Sequence, residues 1–244
     1  MKNFLNISET SSKELREILE EAKRRKKMRK GLGKISVDED KPMEGKSMIM
    51  IFEKPSTRTR ISFDLAVKQL GGSNIILSPD GIHYGKGNES LKDTAKVLSE
   101  YSDIIMIRTS NHKNLNEFAS YSKVPLINGL SEKSHPCQIL SDILTFEEIK
   151  GEIKGKTLAW LGDGNNNMSN SFIEAAAKLQ FKLKIGSPKK YSPNKDIVNW
   201  ANKHGASIEI FSDPKKAAKD ADCVMTDKWI SMNDKVNKVS KKKE

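Results

Sequence analysis

Short apolar runs and amphipathic stretches alternate along this chain almost without interruption. The first amphipathic stretch, 11–29, lines up Leu15, Ile18, Leu19 and Ala22 behind a Ser11-x-x-Glu14 capping box, which predicts a helix. A polar loop, 31–45, follows. The pattern then predicts a strand at 47–52, a helix at 57–70, a Gly71-Gly72 stop and a strand at 74–78. After a Gly-rich loop at 79–88 come helix 89–101, strand 103–108, helix 112–121, strand 124–127 and helix 136–149, the last opened by Pro136. A second series begins at Thr157: strand 157–162, helix 168–180, strand 182–186, helix 194–204, strand 207–211, a short helix 214–220 and strand 223–226. The strands are continuous apolar runs, as strands buried on both faces of a parallel sheet should be. Two successive strand–helix series imply an α/β chain of two domains, 1–150 and 151–244, each a parallel sheet flanked by helices. The charged, turn-rich segment 151–155 is the expected hinge.

Composition narrows the functional classes. At 244 residues, 36% hydrophobic and 31% charged, the chain suits a water-soluble globular protein. It has no apolar run of about 18 residues and hence no expected membrane span. The basic first helix also carries Glu14, Glu17, Glu20 and Glu21, which argues against a transit peptide. Cys137 and Cys223 have neither metal nor redox spacing, so a cytoplasmic setting is expected. The net charge of +11 suits an anionic ligand. A nucleic-acid partner would rest on charge alone, with no recognition motif or interleaved aromatics, and none is expected.

The arginines are more selective than the charge. Of 43 Lys and Arg residues only seven are Arg; four lie in the first helix and the others are Arg58, Arg60 and Arg108. Arg58 and Arg60 belong to Ser56-Thr57-Arg58-Thr59-Arg60, where the strand ending at Phe52 gives way to a helix. Ser56 and Thr57 can cap that helix, whose expected stripe is Ile61, Leu65, Ala66 and Leu70. Free N–H groups, the positive end of the helix dipole, three hydroxyls and two guanidinium groups make this junction an anion cradle, most simply for phosphate. Arg108 ends a strand. Pro136 places His135 at a helix cap, where the dipole favours its neutral form, and Gln138 in the first turn. Gly162-Asp163-Gly164-Asn165-Asn166-Asn167 has partial dinucleotide-loop spacing, but Asn167 replaces the third small residue and no acidic residue ends the next strand. Near the end, Thr226-Asp227-Lys228-Trp229-Ile230-Ser231-Met232 follows the last strand.

Ser-Thr-Arg-Thr-Arg, His-Pro-Cys-Gln, Asp-Gly-Asn-Asn and the Asp227 to Met232 loop together resemble the aspartate/ornithine carbamoyltransferase family, on its ornithine side. The resemblance implies that Ser56, Thr57, Arg58 and Thr59 hold the phosphate of carbamoyl phosphate, and that Arg108 binds its phosphate and carbonyl. It further implies that His135 and Gln138 hold the carbamoyl group. Asn166, Asp227, Ser231 and Met232 would hold the amino-acid end of ornithine. It implies no metal, no cofactor and a homotrimer. His83 is the nearest match to a family Gln in the 79–90 loop. Family members continue beyond the Met232 region with a His-Cys-Leu-Pro segment and further helices. The expectation is therefore an incomplete second domain and little turnover by these 244 residues alone. Two other readings stay open: a carbamoyl-phosphate-binding remnant without catalysis, and a carbamoyltransferase for another amine such as aspartate.

Overall fold

The computed structural model describes residues 2–78 and 89–227. Its elements follow in the order α1 (Ser12–Met28), β1 (Ser47–Phe52), α2 (Thr57–Gln69), β2 (Ser73–Leu77), α3 (Leu91–Tyr101), β3 (Ile104–Arg108), α4 (His112–Tyr121), β4 (Leu126–Leu130) and α5 (Pro136–Lys150). They continue with β5 (Thr157–Leu161), α6 (Asn167–Leu179), β6 (Lys182–Gly186), a 3-10 turn at Lys189–Tyr191, α7 (Lys195–Lys203), β7 (Ser207–Phe211), α8 (Pro214–Ala218) and β8 (Cys223–Met225). Both sheets are parallel and four-stranded, ordered β2-β1-β3-β4 and β7-β6-β5-β8. The fold is thus α/β, with two helix-flanked parallel sheets. Among the described residues no helix is long and apolar enough to cross a membrane.

The chain divides into two compact units, Met1–Leu5 with Glu20–Ser131 and Asn6–Leu19 with Glu132–Glu244. By contacts, the division therefore runs through α1, and 132–150 group with the residues that follow them. Residues 151–155, expected as a hinge, lie within the second unit and are fastened on both sides. The Glu147 carboxylate accepts from Ile153 N at 3.0 Å, and Gly155 N donates to Gln180 O at 2.8 Å. Residues 6–19 join that unit through polar contacts. Ser8 N donates to Glu174 Oε2 at 3.1 Å, and Arg16 Nη1 to Glu147 Oε1 at 2.5 Å. The capping box forms reciprocally, with Ser11 N on Glu14 Oε2 at 3.1 Å and Glu14 N on Ser11 Oγ at 3.3 Å. Of the expected α1 stripe Leu15 and Leu19 are buried, whereas Ile18 is exposed.

In the first unit the alternation of β1 sorts its side chains. Ile49 and Ile51, with Ile105, Ile107 and Leu126, join the face covered by Ala95 of α3 and Leu115 and Phe118 of α4. Met48, Met50, Phe52 and Met106 pack on the other face against Val67 of α2. The expected α2 stripe is corrected here. Val67 is its buried residue and Ile61 is exposed, because the methionine cluster lies opposite Val67, Phe63 and Leu70. Strand β4 also departs from expectation, running to Leu130 instead of ending at 127. Pro125 cannot donate to a ladder, so the strand starts after it. Asn128 is fully buried because its N donates to Phe4 O at 2.9 Å and its Nδ2 to Leu5 O at 2.9 Å.

In the second unit α6 lies buried along the sheet, with Trp160 and Phe172 rings 5.7 Å apart. Gly186 ends β6 where a Cβ would meet Leu161, Ala217 and Pro214 within 3.0 Å, so its bare backbone admits α8. The remaining elements begin and end within about two residues of their expected positions, which is the usual uncertainty of helix and strand termini.

Candidate functional site

In the sheet order β2-β1-β3-β4, successive strands are added outward on opposite sides of the β1/β3 pair. The crevice beyond the carboxyl ends of those two strands is where ligands collect in open α/β sheets. Phe52 and Arg108 are paired there. Ser56 occupies the N-cap of α2 in extended conformation, yet its side chain makes no capping bond, contrary to the expected cap. The first-turn N–H groups of α2 are therefore not consumed by that hydroxyl. The same turn carries Arg58, and its Thr59 is held by Arg108. Arg108 Nη1 donates to Thr59 Oγ1 at 2.9 Å, while its buried Nε has no hydrogen-bond partner among the described residues.

Arg108 is only 7% exposed and pairs with no carboxylate among the described residues. Burial, together with the Arg58 charge, pushes its guanidinium below the ordinary arginine range. It still carries its charge at neutral pH. A buried cation held by a hydroxyl, facing a second guanidinium and a helix N-terminus, is a site in want of an anion. Its aim depends on an irregularity. Ile107 pairs with Asn128 but Arg108 with Leu130, so Gly129 is the extra residue of a bulge. A Cβ at Gly129 would collide with Met106 Sδ, which explains the glycine. The sequence reading missed Gly129 and Asn128 as the residues that set Arg108.

The second unit carries the other expected residues. His135 occupies the N-cap of α5, its N donating to Ser171 Oγ at 3.0 Å, and Gln138 lies exposed in the first turn. Cys137, which could have been read as a nucleophile, has its thiol pushed up to about 12 by burial and is inert at neutral pH.

Strand β8 lies on the opposite side of β5 from β6 and β7, so the β5/β8 pair forms a second crevice. A cavity of about 380 Å³ opens there, lined by Trp160, Gly162, Asp163, Asn166, Ser187, Pro188, Tyr191, Pro214, Thr226 and Asp227 among others. Asn166 caps α6, its Oδ1 accepting from Ser169 N at 2.9 Å and its Nδ2 donating to Asp163 O at 3.0 Å. Among the described residues one amide hydrogen is left over for a ligand. Gly164 N donates to Tyr191 O at 2.9 Å, and a Cβ on Gly164 would meet Pro193 at 2.8 Å. The glycine thus serves the chain's own packing and its N–H is spent, which removes the dinucleotide reading of this loop. Asp142 of α5, absent from the sequence reading, receives Gln138 Nε2 at 2.8 Å. Ser231, Met232 and His83 lie outside the described residues.

Comparison with known proteins bears on the family of the chain. Residues 2–148 match the family model "Aspartate/ornithine carbamoyltransferase, carbamoyl-P binding domain", and residues 154–244 match its "Asp/Orn binding domain". The chain is 49% identical over 234 residues to an ornithine carbamoyltransferase of Rhodopseudomonas palustris, covering 96% of this chain and 74% of that one. It superposes on the ornithine carbamoyltransferase of Pyrococcus furiosus with a TM-score of 0.89 at 40% identity, covering 99% of this chain and 76% of the other. On the aspartate transcarbamoylase catalytic subunit of M. jannaschii the values are 0.80 and 29%, covering 93% and 73%. The chain spans about three quarters of the length of these relatives. A carbamoyltransferase by these measures, the chain belongs to the aspartate/ornithine carbamoyltransferase family.

Proposed function

We propose that this protein transfers the carbamoyl group of carbamoyl phosphate to the side-chain amine of L-ornithine, giving L-citrulline and phosphate. In this reading Ser56, Thr57, Arg58 and Thr59 bind the phosphate. Arg108, His135 and Gln138 take the carbamoyl group. Asn166, Asp227, Ser231 and Met232 take the amino-acid end of ornithine. The neutral amine attacks the carbonyl carbon, and negative charge grows on the carbonyl oxygen. Arg108, and His135 as a neutral donor, stabilise it there. The C–O bond to phosphate then breaks, the electron pair leaves with the phosphate, and the amine's proton follows it. Positioning and electrostatics supply the rate, and the scheme calls on no metal or cofactor.

The observation that supports the first half is the buried Arg108 guanidinium, which has a hydroxyl but no carboxylate for company among the described residues. The choice of ornithine over aspartate is supported by the lining of the β5/β8 cavity. Among the described residues its ionisable lining groups other than Tyr191 are Asp163 and Asp227, with no Lys or Arg. The dicarboxylate aspartate would bring like charges to that wall, whereas an α-ammonium is attracted to it. The test is product analysis with carbamoyl phosphate and either amino acid. Citrulline from ornithine in excess of carbamoylaspartate from aspartate is expected, however slow the turnover; the reverse preference overturns the reading. The homotrimer belongs to the same proposal, and sedimentation as a monomer at high concentration would remove it.

A further inference from the structure

Gln138 and Asp142 stand one turn apart on α5, and Gln138 Nε2 donates to Asp142 Oδ1 at 2.8 Å. With Asp142 ionised the carboxylate only accepts, which matches the amide orientation of this contact. The NH2 end is turned to Asp142, and the carbonyl oxygen Oε1 is left as the group Gln138 offers outward. Gln–Asp pairs at this spacing occur on helices as minor surface stabilisers. Asp142 is unlike such a pair in being partly buried. It also interacts electrostatically with Asp227, which lies past the end of β8 and lines the cavity there. Burial first, and the Asp227 charge after it, push the Asp142 carboxyl above the ordinary range, with the Gln138 bond pulling it back. Keeping a carboxylate in so unfavourable a place asks for a reason beyond solubility.

We propose that Asp142 is a positioning residue that fixes Gln138 with its carbonyl oxygen presented to the donor substrate, so that the site reads the –NH2 of a carbamoyl group. This rests on the assignment of Gln138 to the carbamoyl group made above. A carbamoyl –NH2 donates to Gln138 Oε1. The methyl of an acetyl group in the same place leaves that acceptor unpaired, and a site built around a hydrogen bond rejects an analogue that lacks it. Without Asp142 the amide is free to turn and present its NH2, which suits neither group.

The test compares binding of carbamoyl phosphate, acetyl phosphate and inorganic phosphate to the full chain by calorimetry, in wild type, Asp142→Ala, Asp142→Asn and Gln138→Ala. Phosphate affinity is the control for an intact fold. Asp142→Ala is expected to cut the preference for carbamoyl over acetyl phosphate by about tenfold and to leave phosphate unchanged. Asp142→Asn retains an acceptor oxygen and should keep most of the preference. If Gln138→Ala lowers the preference and Asp142→Ala does not, the role of Asp142 is overturned while the Gln138 assignment stands. If Gln138→Ala leaves the preference unchanged, that assignment fails and the proposal with it. Equal losses of all three ligands in both Asp142 variants would mean a general structural role and would also overturn the proposal.

Discussion

Arg108→Met removes the buried cation of the first-unit anion site and tests whether that cation exists to bind. Arg108 is 7% exposed, its Nη1 bonds only a hydroxyl, and its Nε has no partner among the described residues. In the empty protein this charge is a liability. Even a buried ion pair is often replaced by apolar side chains of similar volume at no cost or with a gain of about 1–4 kcal/mol, and a buried charge without a counterion has less attraction to lose. Thr59 is partly exposed and can turn its hydroxyl to water once the guanidinium is gone. Ligand-free R108M should therefore unfold at the same temperature as wild type or a higher one. Binding should move the other way. Two charge-assisted bonds, from Nε and one Nη, are worth about 3–6 kcal/mol, roughly a hundredfold to ten-thousandfold in affinity. At phosphate or carbamoyl phosphate one hundred times the wild-type Kd, wild type gains about 2.7 kcal/mol of stability and R108M less than about 0.5. Thermal unfolding with and without ligand, alongside calorimetry, reads both effects. An R108M that is much less stable when empty, yet keeps the full ligand-induced shift, would show that Arg108 is structural and refute the reasoning.

Arg58→Lys should weaken phosphate binding far more than Lys54→Ala, because a lysine cannot reproduce a two-pronged guanidinium contact; equal losses in calorimetry would count against a directional cradle. Gly129→Ala forces a Cβ onto Met106 Sδ and should cost about 1–3 kcal/mol in urea unfolding, with a larger loss of anion affinity than of stability if the bulge aims Arg108. Glu174 is buried, and its carboxyl is pushed above the ordinary range, chiefly by desolvation. The folded state therefore holds that proton more tightly than the unfolded state. Stability conferred through this group is highest at low pH and falls as pH rises from the ordinary carboxylate range through the raised value. Glu174→Gln, which can still accept from Ser8 N, should abolish that fall, and parallel stability–pH curves for the two proteins would contradict it.

The two strand–helix series were legible because parallel strands covered on both faces are unbroken apolar runs between turn residues. The helix starts were legible where a capping pair such as Ser11 and Glu14 lies within the segment itself. What could not be read was set by partners far along the chain. Asn128 looks like the end of a strand, and is an interior residue only because Phe4 and Leu5, over 120 positions away, pair with it. Residues 6–19 carry no sign that Glu174 and Glu147 will draw them into the second unit. Helical periodicity on α2 favoured Ile61, but the choice of buried face was made by the methionines of β1 and β3. At the site, the scarcity of arginine singled out Arg58, Arg60 and Arg108, and the β1–β3 pairing turned two separate stretches into one crevice. Asp142 was overlooked although its spacing from Gln138 was in plain view. A carboxylate one helical turn from an amide reads as a solvated pair until its burial is known.

The most direct test of the first-unit site is a crystal structure of the protein soaked with carbamoyl phosphate. The account predicts the phosphate at the N-terminus of α2, within hydrogen-bond distance of the first-turn N–H groups and the Arg58 guanidinium, with the unpartnered Nε of Arg108 engaged. Ligand density in the cavity beside Asp163 and Asp227, with the α2 N-terminus and Arg108 left untouched, would contradict it.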